Sequence, residues 1–515
     1  MTAYSIFGRD YSDRYDAIII GAGIGGLVCA NLLARAGLKV LLLERHYMLG
    51  GYCSTFRRHG FVFDAATHFY PLLGNPQTFT GALLRNLGVT TRWIKMDPVD
   101  QFHVPGLPPF SVPADFDAYI AKLRSCFPHE AASIDGFFAE TRQAYLHGLL
   151  HFFRGKESAH AARWKNVTVS QKLDEWFHDA RLKTILMADS AHWGSPANRT
   201  SYLFDAILRL AYFLGNYYPQ GSSQAFADDL GRCLVAAGGK ILRCAEALQI
   251  LVREGKAGGV RIRTCSRRPP QEFQFHAPIV VSNADARHTY RELLGERYCG
   301  SNELAGLETL APTAPCFLVH LGLRGMDPER LAAVAGYHWR SHDPEDVLRD
   351  VFKIFVPTQY DESVAPPGCQ ILIVQKLTPI VWNEVSDWHE HRRKIHEQIM
   401  RRLRHLLPEL DRHIVVNLAA SAWTSHFFTN NFQGAMLGWE MSPGQLGNAR
   451  LPQETPVENV YLTGHWTQPG GGVTPVIVSG QQVADRILAT ERVPAAGSDG
   501  LGPVAPAANV AKVSA

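Results

Sequence analysis

Residues 16–20, DAIII, form a short and nearly unbroken apolar run, the pattern of a strand buried on both faces of a parallel sheet. A helical period follows to about Ala36. Gly37 stops it, and residues 38–43, LKVLLL, predict a second buried strand. Phe56, then Phe61 and Phe63, alternate with polar residues around Arg58-His59-Gly60, which predicts a hairpin closed by Asp64. Residues 76–130 mix short apolar runs with Pro98, Pro105, Pro108, Pro109 and Pro113, a density that favours turns and short strands over long helices. Residues 115–215 read mainly as helix. There Phe137, Phe138, Tyr145, Leu149, Leu150, Phe152 and Phe153 form an apolar series ahead of Arg154, Lys156, Arg163 and Lys165. Such a stretch suits a lipid surface with a cationic flank, or a core-facing helix with a solvated basic end.

The second half repeats these signals in a different order. Residues 203–214 and 225–236 predict helices, Gly238-Gly239 stops the second, and residues 240–242 start a strand. Residues 247–252 and 259–262 suit an antiparallel hairpin, residues 267–270 a loop tip, and residues 277–285, APIVVSNAD, a buried strand entering a turn. From about residue 311 the strands at 316–323, 352–356, 371–376 and 414–419 alternate with one long helix at 387–407. Ile395, Ile399, Leu403 and Leu406 share a face of that helix, and Pro408 ends it. Strands crossed by a long helix predict a second, mostly antiparallel sheet. A strand at 460–462 and a helix with Pro475 in its first turn complete the ordered chain. Residues 1–14 read as a loose leader, and the Ala-, Pro-, Gly- and Ser-rich residues 493–515 as a disordered tail.

The chemistry enters with the glycines. Gly21, Gly23 and Gly26 make G-x-G-x-x-G between the first strand and its helix. Gly21 allows the tight turn, Gly23 lets a pyrophosphate approach the backbone, and Gly26 lets helix and sheet pack closely. The helix N-terminus presents unpaired N–H groups and a positive dipole end to the phosphates. Glu44 ends the second strand, where an acid accepts adenosine ribose hydroxyls. Strand, turn, helix, strand and acid in that order make a dinucleotide site. The carboxylate argues against a 2′-phosphate but does not separate NAD from FAD. Gly50-Gly51 lacks side chains, so its loop can lie against a large flat ligand. Near the other end, Gly464 permits close approach, and Gly470, Gly471 and Gly472 precede a helix that aims its N-terminus at an anion.

The first unit, Gly50-Gly51, FVFDAATHF, VVSNADARHTYRELLG and TGHWTQPGGGVTP together resemble the FAD-dependent phytoene desaturase, carotenoid isomerase and retinol saturase superfamily over most of residues 15–490. His68 stands where retinol-saturase-like members carry G-x-H-Y and where phytoene desaturases carry Pro-Thr or Ser-Ser. The resemblance implies an α/β fold: a Rossmann-type FAD-binding domain of the glutathione-reductase and amine-oxidase kind, with an α+β substrate domain whose antiparallel sheet floors the cavity and a helical subregion. It divides the chain into FAD-binding parts at 15–100, 221–310 and 455–492, a helical substrate or membrane-contact region at 101–220, and a substrate sheet at 311–454. FAD contacts fall on Gly21, Gly23, Ile24, Gly25, Gly26, Glu44, Arg45, Gly50, Gly51, Gly464, Gly471, Gly472 and Val473, with the last helix facing the pyrimidine edge of the isoalloxazine. The substrate implied is a long apolar polyene, acted on by desaturation, cis-trans isomerisation or saturation. The electron partner stays open among NAD(P)H, a quinone and O2.

At 515 residues the chain exceeds one ordinary domain, and 46% hydrophobic against 19% charged residues supports a large core. A net charge of +3, with no nucleic-acid motif, gives no argument for DNA or RNA. Nine scattered cysteines without C-x-x-C spacing indicate neither zinc nor a disulfide framework, and a reducing, cytoplasmic setting is expected, with binding to one membrane face left open. No apolar run is long enough to span a bilayer. A polyene offers no polar handle, so the expected cavity is apolar and aromatic. Trp193, Tyr202, Phe204, Tyr212, Phe213, Tyr217, Tyr218, Phe427, Phe428 and Trp439 can supply it, although each alone suits ordinary core packing. Moving a hydride also requires a proton donor or acceptor, and the candidates are His68, His192 and His465. Two other readings share these motifs: an amine oxidase-like enzyme with a polar or carboxylate-lined pocket, and a flavin-binding pigment or lipid factor without turnover.

Overall fold

The computed structural model describes residues 3–155, 159–265 and 269–490; Lys156, Arg267, Arg268 and the tail from residue 493 lie outside them. Five strands form a parallel sheet in the order Lys240–Arg243, Val40–Glu44, Ala17–Ile20, Ile279–Ser282, Val460–Leu462. Its inner strands are apolar up to the last residues, Glu44 and Ser282, because helices cover one face and a three-stranded antiparallel sheet covers the other. The helix Ile24–Arg35 is buried nearly all round, since it lies between the sheet and the helices Ser223–Ala236 and Val473–Thr490. Asn31, in its middle, donates to Leu27 O and to Leu230 O, so a buried amide joins two helices. The chain leaves Ala17–Ile20 toward one edge of the sheet and returns on the other side at Ile279–Ser282. That reversal makes a crevice between neighbouring strand ends, where open α/β sheets bind ligands.

A second sheet of seven strands runs Ile414–Ala420, Cys316–Arg324, Cys369–Leu377, Phe352–Phe355, Gly336–His338, Asp100–His103, Phe110–Val112. It is antiparallel except where Gly336–His338 meets Asp100–His103. The helix Trp388–Leu406, capped by the Asp387 carboxylate, lays Ile399, Met400 and Leu403 on one face of it. The hairpin Thr55–Arg58 and Phe61–Asp64 packs on the other face, with Phe61 over Gly322, where any Cβ would come within 2.9 Å of the ring.

Two expectations change, and for a third, left open between core and lipid surface, the packing is now visible. The leader is ordered: Ala3–Ile6 and Arg9–Ser12 pair, Ile6 and Tyr11 are buried, and the Tyr11 hydroxyl donates to Ile241 O. The proline-rich stretch carries a helix at Phe79–Asn86 besides its short strands, because no proline falls inside that segment, while Phe116–Cys126 opens the helical region expected from residue 115. The apolar series on Ala131–Arg154 is core: Phe137, Phe138 and Phe152 are buried against Tyr202–Phe213, and Gly148 admits Leu203. Only Leu146 and Leu150 of that helix stand well exposed among its large apolar residues. Among the described residues no helix is long and apolar enough to cross a membrane, and no cysteine is paired.

Candidate active site

The two glycine-bearing ends of the chain meet in the parallel-sheet crevice. Gly21 takes φ +94° at the end of its strand, and Gly23 caps the helix that contains Ile24, Gly25 and Gly26. A Cβ on Gly25 would lie 3.2 Å from Gly464 Cα and 3.1 Å from Val476 O, so the first and last helices start side by side. Gly50 donates to Ala22 O, which straps the Gly50-Gly51 turn to the first one. Glu44 stands at the same strand end. Its carboxylate accepts from the N–H groups of Ala22 at 2.8 Å and His46 at 2.7 Å, and burial raises its pKa against their pull. Arg45 turns outward and donates to Phe427 O. Gly471 packs against the Leu437 carbonyl, and Gly472, at φ +101°, leads into Val473, the first residue of the last helix.

A residue outside the expected set stands at the centre. Asn283 follows the strand Ile279–Ser282, and its amide fills the space the glycines leave open: a Cβ would reach it at 2.7 Å from Gly23, 2.9 Å from Gly25 and 2.6 Å from Gly464. At Gly26 the obstacle is instead the Gly21 carbonyl, 2.2 Å away. Side-chain-free backbone, a helix N-terminus and one carboxylate around a single amide, whose Nδ2 donates to Gly21 O at 3.4 Å, fit the pyrophosphate and ribose of a dinucleotide. VVSNAD marked Asn283 in the sequence, but its role depends on contacts with residues more than 180 positions away.

The loop after Asp64 joins this crevice to the seven-stranded sheet. Thr67 Oγ1 donates to Tyr52 O beside the Gly50-Gly51 turn, and Thr474 Oγ1 on the last helix donates to Pro71 O. The Asp64 carboxylate accepts from the Tyr218 hydroxyl at 2.6 Å and the Ser223 N–H at 2.9 Å. Between these ties, His68 is buried and stacked on Phe355 with ring centroids 4.7 Å apart; neither ring nitrogen has a hydrogen-bond partner. Burial first, then the nearby Lys353 ammonium and His320, hold its pKa well below 6.5, so the imidazole is neutral.

Phe69 connects His68 to His192, whose ring meets it edge-on at 4.4 Å and whose Nδ1 lies 3.3 Å from the Tyr212 hydroxyl. His192 is likewise held neutral, by burial and then by Lys353. Lys353 is fully buried. It bonds Asp100 at 2.7 Å and sits over the rings of Phe69 at 3.6 Å and Tyr337 at 4.5 Å. Burial opposes the charge on both partners, pushing Lys353 down to about 8 and Asp100 up. Beside them lies a cavity of about 30 Å³, lined by Phe69, Phe102, Tyr212 and Phe213 but also by Asp100, Asp189, His192, Arg209 and Asn216. This cavity is water-sized and mixes apolar with polar lining. Of the candidate aromatics only Tyr212 and Phe213 line this cavity; Trp193, Tyr202, Phe204, Tyr218 and Trp439 are core, Tyr217 is half-buried, and Phe427 and Phe428 are exposed.

His465 belongs to a different cluster. Its Nε2 lies 3.2 Å from Asn431 Oδ1, which also accepts from Trp466 Nε1, and burial followed by the Arg450 guanidinium lowers its pKa to about 3. The structure thus brings His68 and His192 together and leaves His465 with the indoles of Trp439 and Trp466. Lys353 carried one signal in sequence, a lone charge within the all-buried strand Phe352–Phe355. Asp189 and Asn216 carried none, because both sit where helical segments end.

A family profile described as flavin containing amine oxidoreductase matches residues 24–488. The chain is 28% identical to prolycopene isomerase 1 of an Oncidium hybrid cultivar, covering 93% of this chain and 84% of that protein. It is 26% identical to human all-trans-retinol 13,14-reductase, covering 88% and 82%. Among solved structures, an oxidoreductase from Methanosarcina mazei superposes with a TM-score of 0.65 at 19% identity, covering 91% of this chain and all of that one. The fold class is the expected one, and the cofactor is FAD. On this evidence the chain belongs to the flavin containing amine oxidoreductase family and is an oxidoreductase.

Proposed function

We propose that the protein acts on C=C bonds, or on the C–H bonds that become them, in a long apolar isoprenoid of the carotenoid or retinoid class. The observation that carries this reading is the loop of residues 65–72, tied to both glycine turns and holding His68 against Phe355 and Phe69 against Phe355, Tyr212 and His192. The isomerase and reductase relatives, matched over most of the chain, support the same substrate class. FAD, when bound, supplies hydride acceptance or donation. The turn through Gly21, Gly23, Ile24, Gly25 and Gly26 takes the pyrophosphate, and Glu44 takes the ribose hydroxyls. Gly50, Gly51, Gly464 and the Gly471-Gly472-Val473 turn would hold the ring; Arg45, bonded outward to Phe427 O, would not. His68, neutral and with both nitrogens free, accepts the proton that leaves the isoprenoid when a hydride is removed, or returns that proton when one is added. His192 lines the small cavity on the other side of Phe69; His465 orients the Asn431 loop.

One observation favours a second reading. Two carboxylates, Asp100 and Asp189, line the cavity, as a polar-substrate amine oxidase would require. Anaerobic incubation of the FAD-loaded protein with carotenoids, retinoids and simple amines separates the two. Isoprenoid products shifted by two hydrogens, or isomerised, are expected. Flavin bleaching by amines, with every isoprenoid returned unchanged, would overturn the first reading. Within it, His68→Ala should retain FAD and slow turnover by about 100-fold or more; an undiminished rate would remove His68 from the proton path.

A further inference from the structure

Several large apolar side chains that stay exposed gather on one side of the molecule. Trp423 and Phe427, 44% and 60% exposed, stand four residues apart on the helix Ala422–Thr429 and so share a face. The Trp423 ring centroid lies 6.1 Å from those of Trp382 and Trp388, which are 4.6 Å from each other, and the exposed Val381 precedes Trp382. At the other end Phe428 meets Phe427 edge-on at 5.1 Å and also touches His46, which lies against the exposed Tyr47. Residues 414–439, which include this helix, contain no Asp, Glu, Lys or Arg. Two guanidiniums flank the rings. Arg45 donates to Phe427 O, and Arg392, one turn after Trp388 on the helix Trp388–Leu406, bonds His389 Nδ1 at 3.3 Å. Neither forms an ion pair among the described residues, whereas of the nearby acids Asp387 caps its helix and Glu390 is taken by Arg393.

We infer that this face docks on a lipid bilayer, with the rings of Trp423, Phe427 and Phe428 among the headgroups and Arg45 and Arg392 on lipid phosphates. A contiguous exposed apolar patch marks a contact surface. Indole rings, apolar in body with one N–H to keep wet, suit the boundary between hydrocarbon and water. An uncharged ring surface with cations at its margin is the composition of an interfacial anchor. A second copy of the chain would have to bury both guanidiniums against residues 414–439, which offer no carboxylate to receive them. The face therefore lies at the edge of the seven-stranded sheet, beside Ile414–Ala420, and not on the helix Ala131–Arg154, whose phenylalanines are core. Its inner side is tied to the glycine crevice: Tyr52, in the Gly50-Gly51 turn, donates to Ala435 O at 2.9 Å, and His426 Nδ1 lies 2.9 Å from Asn431 O. The lipid face stands without the isoprenoid reading above; its use, collecting an apolar substrate from the bilayer, rests on that reading.

The test uses the FAD-loaded full chain without substrate. Its partition onto vesicles of phosphatidylcholine, with and without phosphatidylglycerol, is measured by co-sedimentation, and its oligomeric state by sedimentation velocity. Binding to both vesicles is expected, tighter where phosphatidylglycerol is present. Trp423→Ser with Phe427→Ser should weaken it about tenfold or more. Leu146→Ser with Leu150→Ser, on the exposed side of Ala131–Arg154, should leave it unchanged. Trp423→Phe should bind near the wild-type level yet lose part of the tryptophan quenching by brominated lipid chains, a readout that misfolding does not imitate. No binding to either vesicle, or binding lost only in the leucine pair, overturns the inference. So does a dimer in solution that the serine pair dissociates, since a second copy then occupies the face. Protein that binds vesicles but changes no isoprenoid fails the reading above alone. Protein that converts isoprenoids in detergent yet ignores vesicles fails the lipid face alone.

Discussion

At the scale of single residues, the glycines of the first turn are not equivalent. A methyl at Gly26 would run into the Gly21 carbonyl at 2.2 Å, and backbone cannot step aside; a methyl at Gly23 would meet only the Asn283 amide, which can swing away. Gly26→Ala should therefore destabilise the protein by about 3 kcal/mol or more. Gly23→Ala should leave the melting temperature near wild type while lowering bound FAD. Thermal melts and flavin-to-protein ratios check both, and the reverse ranking would mean that the turn is misread. His320 provides a pH test. Burial lowers its pKa from 6.5 to about 4, against the pull of the Asp64 carbonyl 3.0 Å from its Nε2. Because the folded-state value is the lower one, the unfolded chain binds more protons below pH 6.5, and stability is lost as pH falls from 6.5 toward 4. Between pH 7.5 and 5 the wild type should lose about 2 kcal/mol more than His320→Gln, in which this titration is absent. Urea midpoints at the two pH values measure the difference; identical slopes would show that His320 does not titrate as described.

Among elements, the sharpest dependence is between strands that are not neighbours. Lys353 on Phe352–Phe355 reaches past Gly336–His338 to Asp100 on Asp100–His103, and Gly336 leaves room because a Cβ there would strike Gln101 O at 2.0 Å. Breaking such a buried pair strands one charge. Lys353→Met alone should cost about 3–5 kcal/mol, whereas Lys353→Met with Asp100→Asn should recover most of it. A double-mutant cycle in urea checks this, and additive losses would show that the two charges do not depend on each other. The elements themselves were largely readable in advance. The first strand, its helix, the hairpin around His59, the long helix ended by Pro408 and the last helix all follow from local period and punctuation, which act within a few residues. The pairing of Asp100–His103 with Gly336–His338 did not, because each is too short and mixed to announce a partner more than 230 positions away.

For the molecule as a whole, the parallel sheet is assembled from pieces spread between residues 17 and 462, and its helical face is closed by Val473–Thr490. Gly480 marks the closeness of that closure, since a Cβ on it would lie 2.4 Å from Gly25 O. Ending the chain at residue 455 should therefore yield no protein with a cooperative melt and no bound FAD. A truncated form that folds and stays yellow would show that the last strand and helix are accessory.

The sequence by itself determined the dinucleotide turn, the acid after the second strand, the glycine pair and the closing glycine turn. Each of these needs a particular backbone freedom or charge at a fixed short spacing, and that need is visible without a fold. Only the tertiary structure decided that Asn283 fills the glycine notch, that His192 joins His68 while His465 does not, and that Asp100, Asp189 and Asn216 gather around one small cavity beside the buried Lys353. Burial and the identity of a long-range neighbour create those properties, and neither is encoded in any one stretch of chain.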